Sequence, residues 1–234
     1  MPQRVVVVTG SSGGIGSAIV DRFTAAGDIV VGLDLLDGAD VSRPDDCIAA
    51  VARIVADHDR SDVLCNNAGI GATGDVVTSS PEDWQRVFGV NVFGVANMSR
   101  AALLAMRAAA RGAIVNTCSV VASVGLVDRA VYSASKGAVL ALTRAMAADE
   151  IAHGIRVNCV SPGTVASPWV ERTVAALPDP ESAFEALRRR QPLGRMVTCD
   201  EVAAAVVYLA DDTTFTTGAD FLLDGGITGV RIVE

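Results

Sequence analysis

The chain has 234 residues, half of them hydrophobic and 20% charged, with 27 acidic against 19 basic side chains. This length buries a sizeable core without staples, and a formal charge of −8 speaks against a phosphate backbone as partner, because such binding rests on clustered Lys and Arg. The 5 cysteines show no C-x-x-C spacing, the start of the chain reaches Thr9-Gly10 too soon for a signal peptide, and Ala101–Met106, the best apolar run, is closed by Arg100 and Arg107. These features set the expectation of a reduced, cytoplasmic protein with no metal site, no membrane span and no nucleic-acid partner.

Val5–Val8 is an unbroken β-branched run ending in Thr9-Gly10, the pattern of a strand buried on both faces. Helical spacing follows over Gly14–Ala26 and stops at Gly27; Asp28–Leu33 is a second strand. Ala39-Asp40-Val41 reads as the end of a third, and Pro44 opens a helix to about Asp57. Val63–Cys65 is a fourth strand entering Asn66-Asn67-Ala68-Gly69. A long helix over Glu82–Ala109, a strand Ala113–Cys118, a helix Arg129–Ala152 and a strand Ile155–Val160 come next. Residues 167–192 are richer in proline and charge and read as a lid-like insertion. A helix Glu201–Leu209 and a strand Asp220–Leu223 complete a chain with neither linker nor repeat. Alternating strands and helices, the strands solidly apolar, predict one α/β domain: a doubly wound parallel sheet with helices on both faces.

Thr9-Gly10-Ser11-Ser12-Gly13-Gly14-Ile15-Gly16 joins the first strand to the first helix. Glycines at 10, 14 and 16 permit a tight turn and close approach of the backbone to a pyrophosphate, and the helix N-terminus offers free N–H groups. Asp34 ends the second strand 18 residues beyond Gly16. An acid at that distance accepts from both ribose hydroxyls of NAD and opposes a 2′-phosphate, and no cation among Ser11, Ser12, Leu35 and Leu36 offsets it. NAD is the expected cofactor.

All the basic residues are arginine except Lys136. It lies one helical turn from Tyr132, in Tyr132-Ser133-Ala134-Ser135-Lys136, so phenol and ammonium share a face. A fixed cation favours phenolate over phenol, which makes a tyrosine into a working base. Lysine suits that task as a compact charge on a flexible stem. Cys118 has no histidine placed to activate it and is not expected to act as a nucleophile.

With these motifs in order and register, the sequence resembles the short-chain dehydrogenase/reductases over essentially its whole length. Gly10, Ser12, Gly14, Ile15 and Gly16 fall in what looks like the family's cofactor turn, and Asn67, Ala68 and Gly69 in its fourth-strand motif. Asp40 and Val41 resemble the pair that contacts adenine. Pro162, Gly163, Val165 and Ser167 resemble the segment that holds the carboxamide, with serine where threonine is usual. The resemblance implies that Tyr132 exchanges the substrate proton, that Lys136 tunes it and holds the nicotinamide ribose, and that Ser119, 13 residues before Tyr132, orients the substrate oxygen. Asn91 then supports a water relay, hydride passes to or from nicotinamide C4, and a homotetramer is the assembly expected. Only Leu35–Ala39 separate Asp34 from Asp40, where the family commonly places a helix, so that element looks deleted.

Asp128–Tyr132, Gly154–Val165 and Arg190–Arg195 look closest to the type 2 3-hydroxybutyrate dehydrogenases and the 2-keto-3-deoxy sugar-acid (fuconate or rhamnonate) dehydrogenases. Arg129, just before the base, and Arg190, in the insertion, form a candidate clamp for the carboxylate of a small hydroxy or keto acid. Against this, Arg188-Arg189-Arg190 also reads as a solvated helix end, and Asp128 could partly neutralise Arg129. Two other functions share the sequence features: an NADPH-dependent 3-ketoacyl-type reductase, which wants a basic phosphate site, and a dinucleotide-sensing protein without turnover.

Overall fold

A computed structural model describes residues 3–231. Six parallel strands form its central sheet: β1 (Val5–Thr9), β2 (Ile29–Leu33), β3 (Val63–Asn66), β4 (Gly112–Thr117), β5 (Ile155–Pro162) and, at the far edge, a strand over Asp220–Leu223, here β8. Their spatial order is β2-β1-β3-β4-β5-β8. The strand order reverses between β1 and β3, so the crevice for a ligand opens at the carboxyl ends of those two strands.

The valines of β1 show why the sheet is buried on both sides. Val5 and Val7 enter one apolar layer, with Ile54 of α2 (Pro44–His58), Met98 of α4 (Gly94–Ala109) and Val139 of α5 (Ala130–Glu150). Val6 and Val8 enter the other, with Ile19 and Phe23 of α1 (Gly14–Ala25) and Val202 and Leu209 of α8 (Cys199–Ala210). Strand periodicity sends alternate side chains to opposite faces, and each valine so buried contributes about 1.5–3 kcal/mol of hydrophobic stabilisation.

The fold departs from the sequence expectations at several places. No strand forms at Ala39–Val41: Leu35–Asp37 makes one 3₁₀ turn, closed by left-handed Gly38, and the chain drops directly into α2. The shortened connection has lost the strand with the helix, so β2 has no outer neighbour among the described residues. The long helix over 82–109 starts at Pro81 and is broken. α3 (Pro81–Phe88) passes through a π turn at Gly89–Phe93 into α4. This run of 29 residues, mean hydropathy 1.3 in its most apolar window, is long and apolar enough by composition for a membrane span, against expectation; here it packs on α2, β3 and β4. Arg129 sits just outside α5, as its N-cap residue.

The segment 167–192 holds two helices, α6 (Pro168–Ala175) and α7 (Pro180–Arg189). A short parallel pair, β6 (Val165–Ala166) with β7 (Val197–Thr198), pinches its two ends together. The lid thus folds as a closed excursion over the crevice.

Candidate active site

The turn after β1 is built for an anion. Gly10 has φ +64, and a Cβ on Gly16 would stand 2.0 Å from the Gly10 carbonyl oxygen, so only glycine lets the first turn of α1 close against β1. The α1 N-terminus has no side-chain cap and no acid in its first turn. α5 likewise has neither, whereas α3, α6, α7 and α8 are capped by Ser80, Ser167, Asp179 and Thr198, each with an acid in the first turn. Free N–H groups behind a glycine turn fit a pyrophosphate. Ile15 packs its side chain against the core layer of Val6 and Val8, which leaves its backbone to the crevice. Replacing Gly16 by alanine is therefore expected to weaken dinucleotide binding about tenfold or more and to lower the melting temperature, as calorimetry with and without cofactor would measure.

The neighbouring loops are locked to this turn. Thr9 Oγ1 accepts from the Asn67 and Ala68 N–H groups, both at 3.0 Å, and Asn67 Nδ2 donates to the Thr9 and Gly10 carbonyls at 3.1 Å. Asp34 accepts from Ser12 N–H at 3.2 Å and Leu36 N–H at 3.4 Å, so its carboxylate stands at the rim of the glycine turn. Asp40 accepts from the N–H and hydroxyl of Ser42, at 2.9 and 2.7 Å, and shapes the entry to α2. Val41 is buried against Gly94, and its carbonyl accepts from Asn97.

Tyr132 and Lys136 lie on α5, which packs against the 3₁₀ turn that follows Ser119. Lys136 is 4% exposed; its Nζ donates to the Thr117 carbonyl at 2.7 Å and stands 5.7 Å from the Tyr132 ring centroid. Ser119 Oγ faces the N–H of Val121 at 3.4 Å. Cys118 donates instead to the Lys136 carbonyl, on the buried side of the strand. Its neighbour Cys159 and then the Lys136 ammonium pull its pKa down, while burial opposes them.

Asn91 occupies the π turn, a helical irregularity common at functional sites. Its side chain is fully engaged: Oδ1 accepts from Ile70 N–H at 2.8 Å, and Nδ2 donates to the Ile70 carbonyl and to Ser135 Oγ, both at 3.0 Å. Ser135 in turn donates to the Tyr132 carbonyl at 2.8 Å. Asn91 thus braces the first turn of α5 against the loop after β3, and a water relay would have to use backbone groups that the π turn releases. Ser135, inside the Tyr–Lys motif, was readable as helix but not as this brace.

On the lid side, Pro162 ends β5, Gly163 N–H donates to Leu223, and Val165 lies in β6. Ser167 uses its hydroxyl to cap α6 and, with Pro168 and Cys199, presses on Gly14. Sequence reasoning missed Gln191. It is 2% exposed, donates to the Leu187 carbonyl at 2.6 Å and accepts from Thr164 N–H at 3.1 Å, so it ties the end of α7 to the segment after β5. A lone glutamine after an arginine run carries no signal for that.

Arg129, the N-cap residue of α5, and Arg190, the C-cap residue of α7, lie 61 positions apart in sequence. Burial, and then the Arg129 cation, lower the pKa of the Arg190 guanidinium. Arg188 and Arg189 pair with Glu185, whereas neither Arg129 nor Arg190 has a carboxylate partner among the described residues. Asp128 takes a left-handed backbone, φ 56, and its carbonyl accepts from Gly74 N–H and Arg129 Nη1; its carboxylate makes no ion pair with Arg129.

Comparison with known proteins gives a consistent result. A family model described as Enoyl-(Acyl carrier protein) reductase matches residues 37–228. Dehydrogenase/reductase SDR family member 6 of Danio rerio is 39% identical over 240 residues, covering 95% of this chain and 96% of that protein. The ligand-free aldohexose dehydrogenase of Thermoplasma acidophilum superposes with a TM-score of 0.91 at 33% identity, covering 99% of this chain and 98% of that one. A structure of ElxO with NADP bound has a TM-score of 0.88 at 25% identity, covering 96% and 98%.

Proposed function

Because the chain belongs to the short-chain dehydrogenase/reductase family, an oxidoreductase family, we propose that it is an NAD-dependent dehydrogenase acting on a secondary alcohol of a small hydroxy acid or sugar acid. The observation that carries this reading is the meeting, at the carboxyl ends of the strands, of the buried Lys136 ammonium, the Tyr132 ring, the Ser119 turn and the uncapped glycine turn of α1. A bound nicotinamide dinucleotide supplies hydride acceptance there.

The chain's own residues do the rest. Ser119 orients the substrate oxygen, and Tyr132 takes the hydroxyl proton as the alcohol becomes a carbonyl. Lys136, held by the Thr117 carbonyl with its Nζ 5.7 Å from the Tyr132 ring, donates to a ribose hydroxyl. Gly10, Ser12, Gly14 and Gly16 hold the pyrophosphate with backbone groups, and Asp34 accepts from the adenosine ribose. Asp40, Val41, Asn67, Ala68 and Gly69 line the adenine and ribose side, and Pro162, Gly163, Val165 and Ser167 the carboxamide side.

Substrate class rests on Arg129 and Arg190. Neither guanidinium has a carboxylate partner among the described residues, and the Arg129 cation bears on that of Arg190, which suits a carboxylate that neutralises both. The aldohexose dehydrogenase relative supports a polyhydroxylated substrate, in line with the sugar-acid branch of the resemblance. NAD⁺ reduction screened over hydroxy acids, sugar acids and neutral secondary alcohols tests the proposal. Arg129→Ala and Arg190→Ala are each expected to raise KM for the acids by about 10- to 100-fold, as loss of a charge-assisted hydrogen bond of about 1.5–3 kcal/mol requires, with little change for neutral alcohols. Equal effects on acids and neutral alcohols would remove the carboxylate clamp.

A further inference from the structure

Residues 69–74 run out from the end of β3 to a single backbone bridge between Gly74 and Arg129. Gly69, Gly71 and Thr73 are exposed, whereas Ile70, Ala72 and Gly74 are half-buried. Such alternation marks an extended segment with one side open to the cleft. Each open position meets a different side chain. A Cβ on Gly69 would stand 3.5 Å from Lys136 Nζ, and one on Gly71 would stand 3.7 Å from Cη2 and Cζ2 of Trp169. Thr73 Oγ1 accepts from Arg129 Nη1 at 2.9 Å. Ammonium, indole and guanidinium therefore follow one another along a single wall, spaced roughly 6–7 Å per pair of extended residues.

Trp169 is the second residue of α6 and is 59% exposed. Its backbone is held: Ser167 caps the helix, Pro168 presses on Gly14, and Thr173 Oγ1 donates to the Trp169 carbonyl at 2.8 Å. The indole lays its benzo edge on a residue without a side chain and leaves more than half of its surface exposed, and along the segment its position falls between that of Lys136 at Gly69 and that of Arg129 at Thr73.

We propose that Trp169 determines substrate specificity: its indole is the platform on which the carbon chain of a five- or six-carbon polyhydroxy acid lies, the carbinol at Tyr132 and the carboxylate at Arg129 and Arg190. This rests on the oxidoreductase reading above. The wall spans roughly 13 Å from the Gly69 position to the Thr73 position. In a 3-hydroxy acid only two bonds separate carbinol carbon and carboxylate, and no chain remains to cover the ring. A sugar acid offers an apolar C–H face to an aromatic surface while its hydroxyls stay solvated or bonded, the type of contact for which a Trp platform is suited.

In Trp169→Ala, KM for D-gluconate or L-fuconate, whichever is turned over, is expected to rise about tenfold with kcat within about threefold. Trp169→Phe, which keeps a ring, restores KM to within about threefold, and KM for NAD⁺ and kcat/KM for 3-hydroxybutyrate stay within about twofold in both variants. Equal losses on the four- and six-carbon acids, or none on either, overturn the proposal. A second readout needs no turnover. The chain has 2 tryptophans, so in Trp84→Phe the emission of Trp169 is read alone, and it is expected to quench saturably with the six-carbon acid and not with 3-hydroxybutyrate. Alcohol oxidation with unmoved emission overturns the platform alone. Quenching in a protein that oxidises no hydroxy acid or sugar overturns the oxidoreductase reading and leaves the platform. Neither quenching nor oxidation overturns both.

Discussion

Lys136→Met is expected to reduce NAD⁺-dependent alcohol oxidation about a thousandfold while the protein stays folded, measured as kcat beside a circular-dichroism melt. The loss follows from geometry. Lys136 is the only lysine in the chain, its Nζ is 5.7 Å from the Tyr132 ring, and its stem is buried, so methionine keeps the packing and removes only the charge and its donors. A positioned proton-transfer group contributes about 10²–10⁴-fold, and Tyr132→Phe should fall in the same range. KM for NAD⁺ should also rise in Lys136→Met, because the ammonium is expected to hold a ribose hydroxyl; in Tyr132→Phe it should rise less. Lys136→Arg should not rescue. Nζ stands 3.5 Å from the Cβ position of Gly69, and a planar fork is wider than the ammonium that fits there. Turnover left intact in Lys136→Met would end the enzymatic reading.

The second large effect concerns the choice between the two dinucleotides. Wild type should use NAD⁺ at least about a hundredfold better than NADP⁺ in kcat/KM, and the pair Asp34→Ala with Leu35→Arg should reverse most of that preference. Asp34 stands at the rim of the glycine turn and accepts from the N–H groups of Ser12 and Leu36. A 2′-phosphate placed there meets a like charge, a repulsion of about 1–4 kcal/mol at 4 Å between water-like and surface dielectric, and it forfeits ribose hydrogen bonds to a carboxylate worth about 1.5–3 kcal/mol. Residues 35–37 are Leu, Leu and Asp, so no nearby cation in that turn offsets the repulsion. The NADP-bound neighbour, ElxO, makes this measurement the decisive one for the cofactor. Equal use of both dinucleotides would favour the ketoacyl-reductase alternative.

What could be read without coordinates was whatever is written within a turn or two of chain. The solid valines of β1 declare a strand buried on both faces, Gly10–Gly16 declares a tight glycine turn between strand and helix, and the four-residue step from Tyr132 to Lys136 places both groups on one helix face whatever surrounds them. Asp34 belongs here too, since its distance from Gly16 is set by one helix and one strand.

Other features were decided by packing between distant segments. The missing strand at Ala39–Val41 required knowing that the shortened connection leaves no room to pair beside β2; the three residues alone read as an extended end. The π turn at Gly89–Phe93 is invisible to a period of 3.6, because one extra residue per turn is imposed where Asn91 grips Ile70 and Ser135 from another part of the fold. Trp169 meets Gly71 and Gln191 meets Thr164 only because β6 and β7 close the lid over the crevice. Short-range periodicity and spacing specify the backbone that delivers hydride chemistry. Of the side chains proposed to choose the substrate, Trp169 and Arg190 lie on a segment whose position is set by long-range contacts, and no local pattern encodes those.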